Sequence, residues 1–348
     1  MRIAPILTVG FALLLSRANA DEIDELMQKE MTAHRIPGAA LKIIKNHTEV
    51  KTACYGLANL ELRVPVTTNT VFEIGSVTKQ FTAACILLLQ QQGRLSVEDR
   101  IAKYLTNTPP TWASITIRQL LTHTSGIKSY TGLGGFEWRR HLTQDQFIKT
   151  IGNQELEFQP GVSWKYSNSG YSLLGYIVEN VSGTNYWQFL HDQILQPLAM
   201  TATRDRNPGV ILTNRAAGYE QTNRVHINRD YDLTDVFAAG ALASTVSDLA
   251  QWNATLDSTN LLTAESKALM WKPQVLNDGN PTKYGFGWFI EIVNGHHVNG
   301  HGGATSGFSA SIQRFPDDHL AVILLTNTDE MIATTLARKV AMAYLGTP

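Results

Sequence analysis

Residues 72–93 read FEIGSVTKQFTAACILLLQQQG. Apolar residues recur at helical spacing through Phe81, Cys85, Leu88 and Leu89, so the pattern predicts a helix from about Ser76 to Gln92, closed by Gly93. Ser76 and Lys79 are three residues apart and share one face of that helix, which sets the amine beside the hydroxyl. The pairing is chemically pointed, because a serine hydroxyl is a poor nucleophile at neutral pH and must pass its proton to a positioned base as it attacks. The helix start adds a field that favours developing negative charge. Cys85, nine residues beyond Ser76, points to the opposite face and is no rival nucleophile.

About one Ser-x-x-Lys match is expected by chance in a chain of this composition. A second one does occur, at Ser125-Gly126-Ile127-Lys128. Context separates them: Ser76 opens a long apolar helix that holds both residues, whereas Ser125 lies in a Gly-rich loop.

Upstream of the helix, residues 21–34 carry apolar residues at helical spacing, and Ala39–Ile44 and Val50–Tyr55 are strand-like runs joined by a hairpin signal at Lys45–Thr48. Downstream, Leu95 to Thr263 reads as helical segments joined by long loops rich in Gly, Asn, Thr and Pro, including an apolar helix over Tyr171–Val181. Strands return at Gly285–Val293, Phe308–Phe315 and Leu320–Asn327, and an amphipathic helix over Asp329–Leu345 ends the chain. The fold class read from this order is α/β of the α+β type: an antiparallel sheet built from both chain ends and flanked by the terminal helices. Residues 21–95 plus 265–348 form the sheet-and-helix domain and 96–264 a mainly helical inserted domain, with the active site expected at their interface.

With 29 basic and 30 acidic residues and a net charge of −1, the 348-residue chain has no cationic run to track a phosphate backbone or grip an anionic membrane. Nucleic acid is excluded as a partner on this ground. Residues 1–20 read as a secretory signal, with Arg2 at the start, a largely apolar run from Ile3 to Leu15, and small residues at Ala18-Asn19-Ala20. That run falls short of the roughly 20 residues a spanning helix needs. The expectation is an exported protein, periplasmic or secreted, with no stable membrane insertion. Cys54 and Cys85 lie among apolar neighbours and are read as buried free thiols in preference to a bridge. His297 and His301 have the spacing of helical metal ligands, but the surrounding glycines argue against a helix, so no metal is assigned. Trp138, Trp164, Trp187 and Trp288 are core candidates first and cleft candidates second.

Two further motifs carry chemistry. Tyr166-Ser167-Asn168 precedes the apolar helix at Tyr171. A phenol titrates near pH 10, but a cation about 4 Å away at an effective dielectric near 20 is worth about 4 kcal/mol, or about three pKa units; burial opposes that shift and makes it an upper limit, within which Lys79 beside Tyr166 could make a usable tyrosinate. The plainer alternative is a helix start in which Asn168 caps and Tyr166 packs. In His301-Gly302-Gly303-Ala304, glycines let a substrate lie along the backbone, and the amides of Ala304 and Ser76 form a candidate oxyanion hole.

The order Ser76-x-x-Lys79, Tyr166-Ser167-Asn168, His301-Gly302-Gly303 resembles the serine β-lactamase and penicillin-binding protein family, in its class C-like branch with D-aminopeptidases, D-Ala-D-Ala carboxypeptidases and esterases. Leu120–Gly126, Ala239-Gly240 and Tyr284–Trp288 fit the same pattern. The resemblance implies a β-lactamase/transpeptidase-like fold, Ser76 as nucleophile, Lys79 and Tyr166 as shared base and acid, and Asn168 as a contact to the substrate amide, with no cofactor. It implies substrate contacts at His301 and Gly303, where class C β-lactamases usually carry a Lys-led motif. His301 offers a mostly neutral imidazole and Ala304 no hydroxyl, which weakens substrates that carry a carboxylate. The expected function is therefore a serine hydrolase forming an acyl-enzyme with esters or D-amino-acid-type peptides, and the alternatives are a β-lactamase or a non-hydrolysing penicillin-binding receptor. A small-molecule or peptide acyl substrate is the expected partner; the oligomeric state stays open.

Overall fold

The computed structural model describes residues 22–134, 141–330 and 332–346. The export signal expected over 1–20 and Trp138 lie outside the described residues. Residues 22–34 are helical (α1). Strand β1, Gly38–Lys45, is apolar on both faces at its start, as a central strand requires, and its first six residues are buried. It turns into β2, Thr48–Asn59, through Asn46 and His47, both at positive φ, the geometry of a tight two-residue hairpin. After β3, Val64–Pro65, the sheet resumes only near the C-terminus with β4 (Phe289–Val293), β5 (His296–Thr305), β6 (Phe308–Phe315) and β7 (Leu320–Thr326). The seven strands run in the order β3-β2-β1-β7-β6-β5-β4, so the two chain ends join where β1 pairs antiparallel with β7, Leu41 opposite Leu324 and Ile43 opposite Val322.

Strand alternation sorts the side chains into two cores. Leu41, Ile43, Val322 and Leu324 pack with Ile23 and Met27 of α1 and with Leu336 and Val340 of the last helix, α5 (Ala333–Leu345). Ala40, Ile312, Ile323 and Leu325 face the other way, onto the core that holds α2, Thr78–Gln91. Helix α2 is buried from Thr78 to Leu89, and it packs on α3, Asn168–Ser182, within the helical stretch that also holds α4, Val246–Thr255.

Some boundaries differ from the sequence reading for local reasons. Ser76 lies in a short 3-10 turn, Gly75–Val77, ahead of α2, because Gly75 adopts a φ of +50° and breaks the helical path. Strand β4 begins at Phe289, since Gly285 to Trp288 form a turn in which the amide of Gly285 donates to the carbonyl of Trp288. Helix α5 starts at Ala333, four residues late: Asp329 is held outside it, its carboxylate accepting the amide of Gln221 and its own amide donating to Tyr219. Cys54 on β2 and Cys85 on α2 are free thiols.

Phe81 is fully buried on α2 with its ring centroid 4.6 Å from that of Trp252. Phe81→Ala leaves a cavity behind the site, and urea unfolding should show a loss of about 3–5 kcal/mol.

Candidate active site

Two glycines bring β5 against the turn that carries Ser76. A Cβ on Gly303 would sit 2.0 Å from the carbonyl oxygen of Ile74 and 2.8 Å from the amide nitrogen of Ser76; one on Gly75 would sit 2.6 Å from the amide nitrogen of Ala304. No side chain fits in either place, so the segments meet backbone to backbone. The amides of Ser76 and Ala304, expected as a donor pair, thus lie on facing stretches of main chain. Behind them, buried Glu73 accepts from Arg206 Nε at 3.0 Å and from Thr305 Oγ1 at 2.7 Å, tying the strand before Ser76 to the end of β5.

Lys79 is fully buried on α2. Its Nζ lies 3.1 Å from Ser76 Oγ, 2.7 Å from Asn168 Oδ1 and 2.6 Å from the carbonyl oxygen of Ala239. Burial holds its pKa well below the ordinary lysine value. In the neutral amine, two N–H bonds donate to Asn168 and Ala239, and the lone pair is left for the Ser76 hydroxyl proton. The ammonium form finds an acceptor for all three protons in the same places. Ala239 is aimed by strain next to it: Phe237 has φ 49° and ψ −135°, rare for a bulky residue, and the carbonyls of Ala238 and Ala239 then meet Thr82 and Lys79 of α2.

A family model for Beta-lactamase matches residues 23–346. The chain belongs to the Beta-lactamase family. Penicillin-binding protein 4* of Bacillus subtilis is 32% identical over an alignment of 300 residues that covers 79% of this chain and 65% of that one, so the chain spans just under two thirds of that relative's length. An octameric penicillin-binding protein homologue from Pyrococcus abyssi superposes with a TM-score of 0.84 at 28% identity, over 94% of this chain and 78% of that one. A D-stereospecific amidohydrolase from Streptomyces sp. gives a TM-score of 0.76 at 27% identity, over 90% and 95%.

Within this family fold, Ser76 lines two adjoining cavities. One of about 550 Å³ runs along Trp164, Tyr166, Phe289, His301 and Gly303; the other, of about 320 Å³, runs along Thr131, Asn168, Tyr231 and Thr305. Asn168 is the first residue of α3 rather than its cap; its Oδ1 accepts from Lys79 and its Nδ2 donates to Thr131 at 3.2 Å.

Burial works against the expected tyrosinate. Lys79 Nζ stands over the Tyr166 ring, 4.7 Å from its centroid, and makes no hydrogen bond to the phenol oxygen. Desolvation therefore dominates and pushes the Tyr166 pKa up; the neighbouring Ser76 hydroxyl acts the other way, without a well-formed hydrogen bond. The same physics removes charge from His301. Its pKa is pushed down to about 3 by burial first and by Lys79 second, only partly offset by the Gly302 carbonyl. Its Nδ1–H donates to that carbonyl at 2.6 Å, so Nε2 accepts from Tyr284 Oη at 2.9 Å. Both imidazole nitrogens are occupied: the Gly302 carbonyl sets the tautomer, and Tyr284, which the sequence reading named only within a supporting stretch, fills Nε2.

The remaining candidates fall away from the site. His296 and His297 pair with Asp318 and Asp317 on the turn between β6 and β7, and among the described residues no group of three or more His, Cys, Asp or Glu is arranged to hold a metal. Ser125 is buried, and its hydroxyl accepts the amide of Ile127, which leaves the second Ser-x-x-Lys a loop contact.

Two spectroscopic outcomes follow from burial. Phenolate absorbance recorded for the wild type and for Tyr166→Phe should superpose up to about pH 10, because Tyr166 stays protonated. The His301 imidazole should keep one proton, on Nδ1, from about pH 5 to 8 in its 15N spectrum; a titration step in that range contradicts the hydrogen-bond scheme.

Proposed function

We propose that the chain is a serine hydrolase that works through an acyl-enzyme on Ser76. The arrangement around Lys79 carries this reading: a buried amine whose two N–H bonds are directed elsewhere has a lone pair facing one hydroxyl. Ser76 Oγ attacks the substrate carbonyl carbon as its proton passes to Lys79 Nζ, and the oxyanion forms toward the amides of Ser76 and Ala304. Tyr166, a neutral phenol, gives its proton to the leaving group as the carbon–heteroatom bond breaks and regains one from the Lys79 ammonium. Acylation then ends with both groups in their starting state. Water repeats the sequence in deacylation, and Ser76 is the leaving group. No step calls on a metal or cofactor.

Esters and amides of D-amino-acid type are the proposed substrates. The reading is supported by the likeness to a D-stereospecific amidohydrolase and by the missing cation at His301, where a carboxylate-bearing β-lactam would look for one. Arg338, in the same cavity, is paired with Glu291 at 2.5 Å. Export to the periplasm or medium is proposed with it, from residues 1–20 alone.

Ser76→Ala should abolish turnover of a p-nitrophenyl ester, and full retention of rate would sink the mechanism. Intact mass of the wild type after substrate should show an adduct that decays; an adduct that persists identifies an acylated receptor instead. Lys79→Arg, always charged and without a lone pair, should lose at least about 100-fold in kcat. In the wild type, kcat/KM should fall on the acid side as Lys79 gains its proton, at a pH well below the ordinary lysine range. His301→Gln should leave that limb in place. Rates on the ester, a D-Ala-D-Ala peptide and a cephalosporin, compared side by side, should decrease in that order or with the first two exchanged.

A further inference from the structure

We propose that His123 is the positioning residue of Tyr166, an inference that rests on the acyl-enzyme reading above. The Tyr166 hydroxyl makes no hydrogen bond of its own. A buried hydroxyl without a hydrogen bond must be located by other contacts, and those contacts converge on His123. The carbonyl oxygen of His123 accepts the amide of Lys165 at 3.0 Å, and its Nδ1 accepts the amide of Ser167 at 3.1 Å. The amides on both sides of Tyr166 are therefore tied to one residue. The imidazole also lies against the phenol ring, with centroids 4.3 Å apart and planes 38° apart. Main chain and ring are held together, from behind.

His123 is itself held in an uncommon conformation. Its φ is +60°, left-handed for a residue with a Cβ, and its side chain is buried. That turn lets the carbonyl and the ring of one residue reach the same short segment. Tyr284, Tyr171 and Trp164 surround the ring at centroid distances of 4.6, 5.2 and 6.1 Å, so the imidazole has a fixed seat. Because Nδ1 accepts, the proton is on Nε2, the opposite tautomer from His301. His123 makes no hydrogen bond to Ser76 or Lys79 among the described residues, and it acts through Tyr166 rather than on substrate.

The test is a double-mutant cycle on p-nitrophenyl ester hydrolysis. Asn at position 123 tolerates positive φ and keeps a side-chain acceptor for Ser167, but removes the ring. His123→Asn should lower kcat about 10-fold with KM little changed, because a small misplacement of a reacting group is costly. In the Tyr166→Phe background the same substitution should change kcat by less than about two-fold. Equal losses in both backgrounds would mean a general structural role, and no loss in either would mean no role; each outcome overturns the proposal. Ser76→Ala assayed in parallel separates the two levels, since retained turnover there defeats the acyl-enzyme itself. Should His123→Asn not fold, the 15N spectrum of the wild type decides. A neutral imidazole with a bare Nδ1 is expected, and a proton on Nδ1 removes the Ser167 hydrogen bond and the proposal with it.

Discussion

The amine of Lys79 is out of water, and the site is organised around that constraint. A buried ammonium needs compensation that water no longer supplies, and here one carbonyl, one amide oxygen and one hydroxyl provide it. These partners come from three parts of the chain: Ser76 a turn away, Asn168 at the start of α3, and Ala239 beside a strained residue. Burial depresses the pKa of the amine, while the acceptors that tolerate its charge also fix the direction of the neutral form.

Backbone geometry does the rest of the positioning. Gly75 and Gly303 allow two main-chain segments to approach where any Cβ would collide. Phe237 and His123 occupy conformations that disfavour their side chains, and in each case the distortion turns a carbonyl toward a functional neighbour. Such strain persists only where surrounding contacts over-determine it. The buried Glu73 and Arg206 pair belongs to this framework, joining the approach to Ser76 with the end of β5.

Burial also decides which groups are charged. Coulomb attraction favours a tyrosinate next to a lysine cation, but the amine faces the ring and both groups are desolvated, so burial shifts Lys79, Tyr166 and His301 alike toward their neutral forms. That shared burial belongs to a site where Ser76 and Ala304 line the cavities on both sides.

The sheet, the flanking helices and the helical stretch between its halves were legible in the sequence, because strand alternation and helical spacing are local patterns that burial selects at each position. So were Ser76 and Lys79, three residues apart on one rigid segment. Element ends were less legible: Asp329 is drawn out of α5 by an amide a hundred residues away, and no local pattern records that. Nor does a residue's type tell whether it will carry charge. The neutral state of His301, the carbonyl of Ala239 and the two amide hydrogen bonds that His123 accepts around Tyr166 arise only when distant segments close over one another, since desolvation and main-chain hydrogen bonding are properties of the assembled interior.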